Sequence, residues 1–147
     1  MMISSPYVDP RVAAVIAFFE HLEAADVAAL GRLYTEKAFF KDPFNEVHDL
    51  AGVQRVFGHM FESLDAPRFK VIDALVQHQQ CFLSWDFTFR LQRQALDRRI
   101  HGSSHLRFAA DGRIAYHRDY WDAAEEVYEK VPLLGGLLRR IKRRLQV

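Results

Sequence analysis

The chain has one cysteine, Cys81, so it cannot close an internal disulfide. It also shows no cationic start followed by an apolar run and a small-residue cleavage site. Together these give the expectation of a reducing, cytoplasmic setting. No apolar run approaches the roughly 20 residues needed to cross a bilayer. Charge of one sign is not in excess either: 20 Lys and Arg stand against 19 Asp and Glu. That balance gives no field for a nucleic-acid partner, so any basic patch must be local. There is no glycine-rich phosphate loop, no HExxH and no close cluster of histidines and carboxylates, so neither a cofactor nor a metal is expected. What remains is 147 residues, half of them hydrophobic, which suffices for one core of ordinary size.

The first half reads as helical. Asp9 caps a helix that begins at Pro10, and Val12, Val15, Ile16, Phe19 and Leu22 recur at helical spacing. Asp26 can cap a second, short helix over "VAALGRLYTEK", with Val27, Leu30 and Leu33 or Tyr34 on its buried side. "AFFKDPFNE" is a short strand stopped at Asp42-Pro43, because proline removes a ladder donor. Asp49 then starts a third helix that runs to about Ser63.

The second half changes period. "RFKVIDALVQHQQ", "CFLSWDFTFRLQ", "RRIHGSSHLRFA" and "RIAYHRDYWD" are rich in β-branched and aromatic residues and are separated by turn-like breaks. They predict a meander of long antiparallel strands. Helices followed by strands imply an α+β domain in which one face of a curved sheet carries the helices. The domain is expected over residues 1–131. After it, residues 132–147 form a basic amphipathic tail, with Leu137, Leu138, Ile141 and Leu145 at helical spacing among five cations. Two readings of the tail stay open: binding to an anionic membrane surface or acidic partner, or packing on its own domain or dimer with the cations in water.

"AADVAALGRLYTEKAFFKDPF" and "LRFAADGRIAYHRDYWD" carry a resemblance to the nuclear transport factor 2-like superfamily, which includes ketosteroid isomerase, SnoaL-like polyketide cyclases and limonene epoxide hydrolase. The resemblance covers about residues 10 to 130. It implies a cone-shaped α+β roll, three N-terminal helices on a curved, mainly antiparallel sheet, around an apolar cavity for a hydrophobic small molecule. It also implies a homodimer through the outer sheet face. Likeness of fold leaves the chemistry open, since such folds host enzymes, carriers and interaction modules.

"KDPFN" resembles the stretch that holds the isomerase's general base, which places Asp42 in that role. Asp42 could equally be a turn residue whose side chain accepts a backbone hydrogen bond two residues on. Gap-free transfer of the resemblance puts Phe18 and Ser104 where the isomerase has its two oxyanion donors. Losing one such donor costs on the order of 3 kcal/mol, which argues against steroid isomerisation here. Tyr34 matches a pocket tyrosine, and His59 falls on the cavity side of the third helix.

In "HRDYWD" strand alternation sets His117, Asp119 and Trp121 on one face and Arg118 and Tyr120 on the other. The resemblance turns the first set into the cavity, with Asp119 where the epoxide hydrolase has an aspartate. Burial there would disfavour the ionised carboxylate and prepare it for proton transfer, with His117 as its neighbour. The epoxide reaction also needs an arginine and a second carboxylate on an adjacent strand, where "LSWDF" offers Ser84 and Asp86 and no arginine. Alternation leaves two faces for that strand. One holds Leu83, Trp85, Phe87 and Phe89, the other Ser84, Asp86 and Thr88, and either could line the cavity. The expected activity is acid-base isomerase or cyclase chemistry by Asp119, His117 and Asp42 on a hydrophobic, ring-containing ligand. Phe18, Tyr34, His59, Trp85, Asp86, Ser104 and Trp121 are the expected ligand contacts. A non-catalytic binding or interaction dimer, and an epoxide hydrolase-like enzyme, are the alternatives.

Overall fold

The computed structural model describes residues 9–91 and 95–146, with the side chain of Glu129 excluded. The start of the expected domain at residues 1–8, the end of the second predicted strand at Gln92 and the tail's last residue, Val147, lie outside the described residues.

Capping starts the helices where the sequence predicts. Asp9 accepts the Arg11 N–H at 2.9 Å and opens helix α1 (Pro10–Glu20). Asp49 accepts the Gly52 N–H at 2.7 Å and opens α2 (Leu50–Ser63). Each cap satisfies a backbone donor that the first helical turn leaves unpaired. Arg11 also grips the Asp9 carboxylate at 2.7 Å, and this hydrogen bond holds the Asp9 carboxyl down at about 2. The same guanidinium reaches Gln79 Oε1 at 2.6 Å and the His78 carbonyl at 2.7 Å, tying α1 to a β-hairpin turn.

The segment between α1 and the first strand differs from expectation. Residues Ala24–Arg32 form a 3-10 helix, and Tyr34 belongs to strand β1 (Tyr34–Lys41) rather than to a helix. The physical reason is visible in the spacing: Val27, Leu30 and Leu33 recur every three residues, which is the 3-10 period. Strand pairing then claims the chain, as Ile114 N–H donates to the Leu33 carbonyl at 2.7 Å and Tyr34 pairs with Ile114.

A short strand β2 (Glu46–Val47) returns along β1, and four longer strands follow: β3 (Leu64–Gln77), β4 (Gln80–Leu91), β5 (Asp97–Phe108) and β6 (Ile114–Tyr120). The six-stranded sheet has the order β2-β1-β6-β5-β4-β3. Every pairing is antiparallel except β1 with β6. The fold is therefore α+β with a mixed, mainly antiparallel sheet. A short helix α3 (Ala123–Glu126), a single 3-10 turn (Tyr128–Lys130) and α4 (Leu134–Leu145) complete the chain. Gly135 and Gly136 sit inside α4 and do not interrupt it.

One sheet face holds the core. Cys81, Leu83, Trp85 and Phe87 on β4, and Ile100, Ser104, Leu106 and Phe108 on β5, are buried at alternate positions under Val12, Val15, Ile16 and Phe19 of α1 and Val53 and Phe57 of α2. Burial pushes the Cys81 thiol up to about 11, which makes it a packed side chain rather than a nucleophile. The pairing of β5 with β6 slips between Arg107 and Phe108, so Ile114 and His117 both face inward although they are an odd number of residues apart.

Candidate functional site

The inner face carries a line of hydrogen bonds that crosses four strands. Ser104 on β5 lies directly opposite Asp119 on β6, and Trp85 on β4 lies opposite Gly102. Trp85 Nε1–H donates to Ser104 Oγ at 2.8 Å, and the Ser104 hydroxyl donates to Asp119 Oδ1 at 2.5 Å. From the other side His117 Nε2 meets the same Oδ1 at 2.6 Å, and the Tyr34 hydroxyl meets His117 Nδ1 at 2.6 Å. Every proton finds an acceptor when Tyr34 donates to Nδ1 and His117 donates from Nε2, so the network itself selects this tautomer. Burial holds the Tyr34 hydroxyl well above its ordinary titration range, and the Asp119 charge adds to the effect, so Tyr34 stays a donor.

Gly102 makes the line possible. A Cβ there would stand 2.6 Å from Trp85 Cη2 and 2.9 Å from Cζ2, so only a bare backbone lets the indole lie across β5 and reach Ser104. The His117 ring is held in turn by Phe40, 4.8 Å away between centroids, and by Phe19 edge-on at 6.0 Å. All donors converge on Asp119 Oδ1. Among the described residues Oδ2 accepts no hydrogen bond, and the side chain keeps 15 % of its surface exposed.

Asp119 borders three hollows. A small inner space of about 20 Å³, room for about one water molecule, is bounded by Phe19, Phe57, Phe69, Trp85, Ser104, His117 and Asp119. It shares Phe57, Phe69, Trp85 and Asp119 with an outer cleft of about 340 Å³. The cleft is walled by aromatics, Phe40, Phe44, Phe87, Phe89 and Trp121 besides those shared, and its ionisable groups among the described residues are Asp42, Asp119 and His59. Asp119 also borders a shallow surface hollow of about 440 Å³ beside Lys41, Asp42 and Arg118.

The structure brings some sequence-predicted residues together and separates others. His117, Asp119, Ser104, Trp85 and Tyr34 form the line just described. Tyr34 stands behind His117, fully buried and off the walls of both inner spaces. Trp121 sits on the rim with its ring edge-to-face with Phe44 at 5.5 Å. Asp42 is both rim and turn: it lines the cleft while Oδ1 accepts the Phe44 and Asn45 N–H groups at 2.7 and 2.6 Å. His59 is an exposed rim residue one turn from Ser63.

Two residues fall elsewhere. Phe18 lines neither inner space; it packs edge-on against Phe19 at 5.9 Å, and Phe19 faces the cavity in its place, because the rotation of α1 is set by burying Val12, Val15, Ile16 and Phe19. Asp86 lies on the outer face, where His101 Nδ1 meets it at 2.8 Å and Arg99 at 3.5 Å. The face that turns inward is the apolar one, because it is the one that packs under the helices. Sequence reasoning did not single out Phe57, Phe69 or Gly102. A glycine in the middle of a strand is the one local signal that could have found the last of these.

The matches to known proteins agree with this architecture. A family model described as SnoaL-like domain matches residues 15–117. Among solved structures, an LEH-like epoxide hydrolase of M. tuberculosis is 16% identical with a TM-score of 0.66, covering 90% of this chain and 96% of that one. A protein of ketosteroid isomerase-like fold from Catenulispora acidiphila, in complex with trimethylamine, is 12% identical at a TM-score of 0.69, covering 80% and 89%. TerC, co-crystallised with polyporic acid, is 13% identical at 0.69, covering 80% and 95%. At these identities the structures establish the fold alone, and no curated protein matches the chain. With the family model spanning most of the sheet and the cavity-forming helices, the chain belongs to the SnoaL-like domain family of the nuclear transport factor 2-like superfamily.

Proposed function

We propose that the cleft binds a hydrophobic, ring-containing small molecule and that Asp119 Oδ2 takes a proton from it. The observation that carries this reading is a carboxylate on the wall of an aromatic cleft whose Oδ1 is fixed by Ser104 and His117 while Oδ2 accepts no hydrogen bond among the described residues. A base held in one orientation and mostly buried suits general acid-base chemistry. His117 and Tyr34 then act as positioning residues, and Asp42 is a second carboxylate at the mouth. Among the described residues neither inner space is lined by lysine or arginine, which suits a ligand that is uncharged or cationic at its buried end. The small molecules bound by the Catenulispora protein and by TerC support a ligand-holding role. An epoxide hydrolase reading finds no arginine on these walls among the described residues.

One observation favours a second, binding-only reading. Ser104, Trp85 and Tyr34 spend their hydrogens inside the line, which leaves Asn45, His59, Ser63 and Trp121 at the rim as the described lining side chains able to donate to a developing oxyanion. In either reading a second copy of the chain covers the outer sheet face, where the paired Leu75 and Phe82 are exposed.

Binding of the neutral dye Nile red, followed by fluorescence, tests the cleft. Deuterium uptake at the acidic carbon of 2-tetralone, followed by NMR, tests the base. Asp119→Asn should keep the dye and slow catalysed exchange by about a hundredfold or more. Dye binding with no catalysed exchange in the native chain would leave the binding-only reading, and no dye binding would sink both.

A further inference from the structure

The last helix does something the cleft does not explain. α4 carries Arg139, Arg140, Lys142, Arg143 and Arg144, and no acidic residue occurs from Val131 to Val147. On a helix of 3.6 residues per turn, Leu134, Leu137, Leu138, Ile141 and Leu145 fall within an arc of about 100°. The cations occupy the rest of the circumference, with Lys142 bordering the apolar stripe on one side and Arg144 on the other.

Most of that stripe is exposed, with Leu138 alone of the five half-buried. Leu137 is 56% exposed, Leu145 79% and Leu133, just ahead of the helix, 93%. The helix leans on the Tyr128–Lys130 turn, where the buried Gly135 donates its N–H to the Val131 carbonyl at 2.7 Å. On its cationic flank Arg139, Lys142, Arg143 and Gln146 surround a shallow hollow of about 240 Å³.

We infer that α4 is an interfacial helix that docks the domain on an anionic lipid bilayer, with the leucine and isoleucine stripe at the acyl boundary and the cations among the phosphates. Twelve helical residues rise about 18 Å, against an apolar core of about 30 Å, so α4 lies on the bilayer and does not span it. Cations on both edges of the stripe match a plane of phosphates, whereas an acidic protein groove would engage one flank. The Tyr128 ring that follows α3 meets Phe44 on the cleft rim at 6.2 Å, so docking through α4 brings the mouth close to lipid. A hydrophobic ligand could then enter from the bilayer, a consequence that rests on the cleft reading above.

Flotation of the full chain with vesicles of phosphatidylcholine plus 30 per cent phosphatidylglycerol, against phosphatidylcholine alone, tests the inference. Binding is expected to the anionic vesicles. It should fall by roughly a hundredfold in the triple variant Arg140→Gln, Arg143→Gln, Arg144→Gln, since each lost cation weakens binding about fivefold. The double variant Leu137→Glu, Ile141→Glu should also abolish it. These side chains are exposed, so unchanged thermal melting is expected in both. Equal binding to neutral vesicles would overturn the inference, as would anionic binding that survives the leucine and isoleucine changes, the result expected of a purely polyanionic partner. Asp119→Asn should float like the native chain, and Nile red binding should persist in the triple variant, so failure of docking and failure of the cleft reading are told apart.

Discussion

Two histidine-aspartate pairs stand back to back on the sheet. On the inner face His117 and Asp119, two residues apart on β6, meet at 2.6 Å with the histidine side chain only 5% exposed. On the outer face His101 and Asp86, on neighbouring strands, meet at 2.8 Å with the histidine 61% exposed. The residue types are the same and the distances nearly so. What differs is where the remaining polar atoms go. The inner pair is inserted in a line from Tyr34 to Trp85, so each proton has one acceptor and each ring one orientation. The outer pair shares its aspartate with Arg99 and water can replace any member. A buried pair is expensive to break and precise in geometry, whereas an exposed pair is neither.

Removing the aspartates should show the widest gap. Asp119→Ala leaves the Ser104 hydroxyl and His117 Nε2–H buried without an acceptor, and urea unfolding should show a loss of about 3 kcal/mol. Asp86→Ala should cost less than about 1 kcal/mol, and less still in high salt. Equal losses would mean that the inner line contributes no more than a surface ion pair. Next comes Gly102→Ala, where the new methyl meets the Trp85 ring at 2.6 Å. Overpacking of that kind should cost about 2 kcal/mol and alter the near-ultraviolet dichroism of the indole. Ser103→Ala, one residue along on the outer side, should stay within about 0.5 kcal/mol.

These contrasts also mark what could be read from sequence. The caps Asp9 and Asp49, the four long strands and the shared face of His117 and Asp119 are written within a few residues each, as capping and period-two alternation are local. The face of β4 was not readable, because an apolar and a polar set alternate equally well until the helices pack on one of them. Phe18 teaches a different lesson. The spacing of Val12, Val15, Ile16 and Phe19 already pointed to Phe19, while gap-free transfer of the family resemblance pointed one residue earlier; helix rotation follows burial, and burial selected Phe19. Tyr34 and His117 are 83 positions apart, and no local pattern announces a bond between them.

That long-range bond gives the smallest and most specific test. Tyr34→Phe keeps the ring and removes the one donor to His117 Nδ1, so unfolding should cost about 1 kcal/mol less energy than in the native chain at neutral pH. The sign of the alkaline behaviour follows from burial, which raises the folded Tyr34 above its ordinary range. An unfolded chain releases the Tyr34 proton near pH 10, whereas the folded chain retains it, so above about pH 10 the unfolded state binds fewer protons. The contribution is complete below that pH and is lost as pH rises toward the folded value. Between about pH 9 and about pH 11 the native chain should therefore lose more stability than Tyr34→Phe. If Tyr34→Phe keeps the native alkaline slope, burial does not hold the phenol's proton and the inner line ends at His117.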